Sequence, residues 1–170
     1  MQIIHDFKIS IKDYCNNSIH NDYPVLTDCP VCHDVLIKNG FYKRYVIVSN
    51  LSYIIFIRRY RCKHCGLTVS ILPSFLLPRF QRSLKDIFNI IYQYLKNRRL
   101  LIYRRAVFFY LKRFNKNLNA LIIYFRETAN GHPCFDNKKA IKLLEMIKEC
   151  KVPTFAKSFH NHFNKCFMAL

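Results

Sequence analysis

Four cysteines, arranged as two Cys-x-x-Cys pairs, are the residues of this 170-residue chain best suited to metal chemistry. Cys29 and Cys32 form the first pair, and Cys62 and Cys65 form the second. Each such pair can turn two sulfurs toward one ion, and two pairs complete the tetrahedral set of four thiolates that suits zinc. We therefore predict one Zn²⁺ per chain. Four thiolates leave no open coordination position, so we expect this zinc to be structural.

Two other interpretations of the pairs are a redox Cys-x-x-Cys and a set of unrelated buried thiols. Redox pairs usually follow a strand and open a helix, which neither pair does here. His33 and His64 lie in or beside the pairs, and we expect them to be exposed or to hydrogen-bond around the metal rather than to ligate it. A second zinc site has little support, because the remaining metal-capable residues match no compact spacing. These are His132, Cys134, His160, His162 and Cys166.

The segment between the two pairs must return the second pair beside the first. The stretches 41–48 and 53–61 are rich in β-branched and aromatic residues, and "SNLS" between them is typical of a turn. This pattern predicts a zinc ribbon, a β-hairpin that carries one cysteine pair at each end. A third strand is predicted at 67–72. Residues 1–14 alternate loosely and predict another strand, and 15–24 is a polar linker.

The second half of the chain has the apolar spacing of helices. A helix is predicted to begin at Ser83, with Leu84, Ile87, Phe88, Ile91 and Leu95 along one face. Further helices are expected at 103–115, 118–127 and 137–150, with a loop at 128–136. We predict an α+β protein with four parts: an N-terminal segment (1–24), the zinc ribbon (25–80), a helix-turn-helix region (81–130) and a helical C-terminal extension (131–170).

The charge of the chain is strongly positive, with a formal net charge of +18. A charge of this size favours a polyanionic partner, of which nucleic acid is the first candidate and an anionic membrane surface the second. The run 96–113 contains seven cations and no anion. The helix predicted at 103–115 follows the helix that begins at Ser83, and in this order it resembles the recognition helix of a helix-turn-helix. The other interpretation is the solvated face of an ordinary helical hairpin. The predicted nucleic-acid contacts in this run are Lys96, Arg98, Arg99, Arg104, Arg105, Lys112 and Arg113.

The ribbon strands offer a second predicted contact surface. Tyr42, Tyr45 and Tyr60 interleave with cations on these strands, of which we expect Lys43 and Arg44 to contact nucleic acid. The alternative is that the aromatic side chains simply pack in the core. The N-terminus lacks the features of a secretory signal, and the apolar runs are too short to span a bilayer. We therefore expect a cytoplasmic protein without a membrane partner.

Taken together, "CPVCHDVLIKNGFYKRY", "IRRYRCKHCGLTVSILPSFLLPR", "SLKDIFNIIYQYL" and "RRAVFFYLKRF" resemble the N-terminal region of insertion-sequence transposases. The resemblance covers about residues 25–127 and is greatest to a family of short bacterial transposase-like proteins. It implies a zinc ribbon followed by a DNA-binding helix-turn-helix, and a place near the bacterial nucleoid. Arg104, Arg105, Lys112 and Arg113 would be recognition-helix positions. The tryptophan common in that helix is absent, and Phe108 or Phe109 would stand in for it.

Transposases of this type also need an acidic triad that holds two metal ions. After Glu127 the chain contains only Asp136, Glu145 and Glu149, all within one loop and one predicted helix. We therefore expect a non-enzymatic protein that binds duplex DNA. Two alternatives stay open: an RNA-binding zinc-ribbon protein, and an interaction module whose basic surface meets an acidic protein.

Overall fold

The computed structural model describes residues 1–128, 139–150 and 152–168. It divides into two compact units, Met1–Ser83 and Leu84–Leu170. The described residues form one four-stranded sheet and six α-helices, which confirms the mixed α+β class. Within the described residues, no helix is both long and apolar enough to cross a membrane.

The sheet belongs to the first unit and has the strand order β1-β4-β3-β2. Its strands are β1 (Gln2–His5), β2 (Leu36–Val48), β3 (Leu51–Cys62) and β4 (Thr68–Pro73). β2 and β3 form the predicted antiparallel hairpin. The turn between them places Ser49 and Asn50 in left-handed conformations, the pattern of a tight hairpin turn. The three predicted ribbon strands are therefore confirmed, with β2 and β3 reaching to the cysteine pairs.

The predicted strand over residues 1–14 is wrong beyond its first few residues. Only β1 is extended, and it pairs parallel to β4. Ile11–Asn17 form helix α1, whose N-terminus is capped by the Ser10 hydroxyl, 3.1 Å from the Asp13 amide nitrogen. Helix α1 places the Tyr14 side chain in the core, where it is completely buried. A strand with alternating side chains would not require that burial. A short 3-10 turn, Ser18–His20, follows within the predicted linker.

The hairpin extends well beyond the strand beside it. β4 pairs only with residues Arg59–Arg61 of β3, so the earlier part of β3 has no strand on that side. The hydroxyls of Tyr14 and Tyr23 instead donate hydrogen bonds to the Phe56 carbonyl oxygen, each at 2.9 Å. These bonds satisfy a backbone acceptor where the ladder ends. A core of Tyr14, Val46, Ile55, Ile57, Leu72, Phe75 and Leu76 covers one face of the hairpin.

The second unit is helical. Its helices are α2 (Leu84–Asn97), α3 (Arg104–Lys116), α4 (Leu118–Thr128), α5 (Lys139–Glu149) and α6 (Val152–Phe163). The helices predicted from apolar spacing are confirmed over the described residues, which exclude positions 137 and 138 of the predicted helix at 137–150, and α6 lies within the predicted helical C-terminal extension. The predicted loop lies outside the described residues from position 129 onward. The core is aromatic, with Phe88, Phe114, Phe155, Phe159 and Phe167 all buried.

Candidate metal centre and nucleic-acid interface

The first cysteine pair lies in a tight turn before β2. The Cys29 amide donates a hydrogen bond to the Asp34 carbonyl oxygen at 2.8 Å, and the His33 amide donates to the Cys29 oxygen at 2.9 Å. His33 takes a left-handed conformation that lets the chain turn back toward β2. This geometry buries the Cys29 side chain and leaves Cys32 partly exposed.

The second pair lies where β3 ends. The Cys62 amide donates to the Leu67 carbonyl oxygen at 2.9 Å, and the Cys65 amide lies 3.4 Å from the Cys62 sulfur. Gly66 follows with a φ of +72°, a conformation that glycine adopts without strain. An N–H group directed at a ligand sulfur lets the backbone stabilise the thiolate.

The two turns bring all four sulfurs together. The Cys29 and Cys65 sulfurs are 3.6 Å apart, those of Cys32 and Cys62 are 3.4 Å apart, and all four lie within 4.8 Å of one another. Zinc–sulfur bonds of about 2.3 Å in a tetrahedron would separate the sulfurs by about 3.8 Å. The cluster is therefore close to the size that a zinc ion requires.

The pKa values of Cys29 and Cys32 depend on their neighbours in the cluster. The Cys32 backbone amide, foremost among several hydrogen-bond donors, lowers the pKa of Cys29 to about 6. The Asp34 amide also lowers the pKa of Cys32, but burial and the three neighbouring sulfurs outweigh it and raise that pKa to about 12. One thiol of the cluster thus ionises readily, and its negative charge disfavours ionisation of the neighbouring thiols. A divalent cation would stabilise the thiolates together.

The other metal-capable side chains do not gather into a second site among the described residues, where the four-cysteine cluster is the only such group. The Cys166 sulfur lies 3.8 Å from His160 Nδ1, and His162 pairs with Glu127 instead. Burial raises the pKa of Cys15 and of Cys166. His33 and His64 are both exposed. His132 and Cys134 lie outside the described residues.

Helix α3 separates its apolar and basic residues cleanly. Val107, Leu111 and Phe114 are buried at a spacing of four and three residues. The opposite side carries Arg105, Phe109, Lys112 and Lys116, all exposed and again three or four residues apart. We call these four residues the outer ridge of α3. Lys116 was not among the predicted contacts, although its helical spacing from Arg105 and Lys112 would have revealed it.

Most of the remaining predicted contacts in the basic run lie over aromatic rings of the second unit. The Arg113 guanidinium donates to the Met168 carbonyl oxygen at 3.0 Å and lies 4.6 Å from the Phe109 ring centre. Arg104 lies over Phe108 at 5.4 Å, and Arg98 lies over Tyr94 at 5.6 Å. The remaining two, Lys96 and Arg99, are exposed, and a hydrogen bond to the Tyr92 hydroxyl raises the pKa of Lys96.

The ribbon strands divide their predicted contacts between two faces. Lys43 and Tyr45 are exposed on one face. Arg44 lies on the core face, half-buried, and donates to the carbonyl oxygens of Leu77 and Phe80. Burial lowers the pKa of Arg44. Tyr60 is buried, and Tyr42 packs against the core. Of these five residues, Lys43 and Tyr45 are therefore the two whose side chains are exposed to a partner.

Comparison with known families gives a match over part of the chain. Residues 29–99 match the model of a domain of unknown function (DUF6431), which spans both cysteine pairs, the hairpin and α2. The chain matches none of the curated proteins and none of the solved structures with which it was compared.

Proposed function

We propose that this chain is a non-enzymatic, transposase-like protein that binds duplex DNA through the outer ridge of α3 and is stabilised by a structural zinc. The observation that carries the proposal is the ridge itself. Three cations stand in line on the side of a helix whose opposite side is fixed in the core. An α-helix fits the major groove of duplex DNA, where lysine can meet phosphates and arginine can meet guanine edges.

The charge around the ridge supports a polyanionic partner. Between Asp34 and Glu127 the chain has nineteen Lys and Arg residues, and Asp86 is the single acidic residue. Arg105 also lies in the first turn of α3, where the helix dipole disfavours a cation and where no acidic residue compensates. A bound phosphate would relieve this unfavourable placement.

The connection from α2 to α3, residues 98–103, fits a helix-turn-helix whose turn is longer than the usual three or four residues. Arg98 follows the last residue of α2 in a left-handed conformation, with its amide 3.0 Å from the Tyr94 oxygen. Glycine usually fills this helix-ending position, so arginine here is strained.

Zinc is the metal that the four-cysteine cluster fits best. Thiolate ligands select soft or borderline metals, and the sulfur separations of 3.4 and 3.6 Å suit tetrahedral coordination. The ion would join the loop before β2 to the end of β3, and so hold both ends of the hairpin together. It would have no position for a substrate.

Absence of catalysis forms part of the proposal. Among the described residues no group of three acidic side chains lies close enough to share metal ions. Glu127 and Glu145 are instead hydrogen-bonded to His162 and Tyr92. Incubation with supercoiled DNA and Mg²⁺ or Mn²⁺ should produce no nicks. Cleavage that copurifies with the protein and is lost on substituting Asp136, which lies outside the described residues, would contradict the proposal.

The duplex proposal is tested with two double variants of equal charge loss. Arg105→Ala with Lys112→Ala removes two ridge cations, whereas Lys139→Ala with Lys157→Ala removes two exposed lysines from α5 and α6. Alanine preserves the helices in both cases. We expect the ridge variant to lose at least tenfold more affinity for a labelled duplex than the control variant. If the two double variants lose the same affinity for the duplex, the binding is nonspecific electrostatic attraction and the proposed role of the ridge is wrong.

The same assay separates the alternatives. Structured RNA that outcompetes duplex DNA for the wild-type protein would favour an RNA-binding zinc-ribbon protein. Binding to an acidic protein that survives high salt would favour an interaction module.

A further inference from the structure

The far end of the ribbon hairpin presents a sheet face that no described element of the first unit covers. Lys43, Tyr45 and Ile47 of β2 lie directly opposite Phe56, Ile54 and Ser52 of β3, respectively. These six residues alternate with the core pairs, in which Val46, Ile55 and Ile57 are buried. They therefore share the opposite face. We call this surface the open hairpin face.

Its centre is aromatic and aliphatic. Tyr45 is 59% exposed and Ile54, its cross-strand neighbour, is 47% exposed. The lower part of the same sheet face is covered, since Tyr23 packs against Phe41 at 5.4 Å and the Tyr60 hydroxyl donates to the Pro24 oxygen. The exposure is thus confined to the part of the hairpin that extends beyond β4.

We propose that the open hairpin face binds single-stranded nucleic acid by stacking a base on Tyr45. An exposed ring on a rigid strand can offer its π-face to any base, and a neighbouring cation can meet the adjoining phosphate. Lys43 lies two residues along the same strand, about 7 Å away. This site belongs to the first unit and the outer ridge of α3 to the second, and the proposal does not depend on duplex binding at the ridge.

Charge favours a nucleic acid over other occupants. Residues 35–85 contain ten Lys and Arg residues and no acidic residue. Arg82 lies beside Ile47 at the edge of β2, and its guanidinium is 3.4 Å from the Asn50 side-chain oxygen. A second copy of the chain would bring the same cations together and repel. A duplex keeps its base faces inside its own stack, so a single strand is the polyanion that can use the exposed ring.

The test measures the anisotropy of labelled single strands with the full-length, zinc-loaded protein. Oligothymidylate and oligouridylate of equal length serve as DNA and RNA probes, and a duplex serves as a third. Tyr45→Ala should weaken binding of both single strands about tenfold, because stacking on one aromatic ring has an effect of this order. The duplex affinity should stay unchanged. Tyr45→Phe should retain wild-type affinity for the single strands.

Tyr45→Leu is the decisive variant. It keeps a branched hydrophobic side chain at this position but removes the π-face, so we expect it to lose affinity as alanine does. Wild-type affinity in Tyr45→Leu, or failure of the wild-type protein to bind either single strand, would overturn the proposal. So would a wild-type dimer that Tyr45→Ala converts to a monomer with unchanged single-strand affinity, because the face would then be an interface between copies. Zinc content and circular dichroism should be the same in all variants, since Tyr45 is exposed.

Discussion

The Nη2 nitrogen of Arg44 lies 2.6 Å from the Phe80 carbonyl oxygen and 2.9 Å from that of Leu77, and donates a hydrogen bond to each. One side chain thereby attaches the hairpin to the segment that follows β4. The guanidinium is half-buried, so the two carbonyl oxygens would not readily find water in its place. Arg44 therefore stabilises the first unit and is not available to nucleic acid.

Arg44→Ala should destabilise the first unit by about 2 kcal/mol, the order expected for buried hydrogen bonds from a charged donor. Amide hydrogen exchange in β2 and β3 should accelerate about thirtyfold, provided that exchange follows the opening equilibrium of this unit. Lys43→Ala is the matched control, because it removes an exposed cation one residue away. Equal exchange rates in the two variants would show that the hydrogen bonds to Leu77 and Phe80 contribute nothing.

Local pattern in the sequence predicted the parts of the fold that local interactions determine. The cysteine spacing predicted two turns and a hairpin, and the spacing of Val107, Leu111 and Phe114 predicted α3. The pattern could not distinguish the roles of Lys43 and Arg44, since these depend on partners more than thirty residues away. Arg113 is the same case, because its carbonyl partner belongs to Met168 near the end of the chain.

The error at the N-terminus has a different origin. Alternation in a short stretch is weak evidence for a strand, and Phe7 and Ile11, four residues apart, fit a helical period as well as an alternating one. The capping pattern, with Ser10 and Asp13 three residues apart, was the signal that α1 begins there. The open hairpin face could not be recognised from sequence either, because its exposure depends on how short the pairing between β3 and β4 is.

Loss of a single cysteine ligand should release the metal. Cys65→Ser leaves three thiolates, so zinc per chain should fall from about one to well below one, and the ribbon should unfold because metal binding contributes folding free energy. Cys150→Ser is the control, since both cysteines are exposed and only Cys65 belongs to the cluster. Metal analysis and circular dichroism measure the two effects. A folded ribbon that lacks zinc in the wild-type protein would contradict the proposed structural role.

Phe167 should be essential to the second unit. Its ring is fully buried and lies 5.3 to 5.6 Å, centre to centre, from those of Phe88, Phe155 and Phe159. Phe167→Ala would remove a large side chain from this core, at a cost of about 3–5 kcal/mol. We expect exchange in α2 and α6 to become fast while the hairpin is unaffected. Phe163→Ala, at a partly exposed position of α6, should have a much smaller effect; similar effects would show that the Phe167 contacts are not critical.

The salt dependence of duplex binding should count the phosphates that the outer ridge of α3 neutralises. Each contact contributes a slope of about −0.9 to a plot of log affinity against log salt concentration, because counterions are released from the DNA. Arg105→Ala with Lys112→Ala should therefore make the slope shallower by about 1.8 if both cations meet phosphates. If Arg105 instead reads a base edge, the change should be about 0.9, together with a loss of preference between duplex sequences. The control variant, Lys139→Ala with Lys157→Ala, should keep the wild-type slope. A ridge variant whose slope matches the control would show that the ridge does not contact the DNA backbone, whatever the affinity of the protein for DNA.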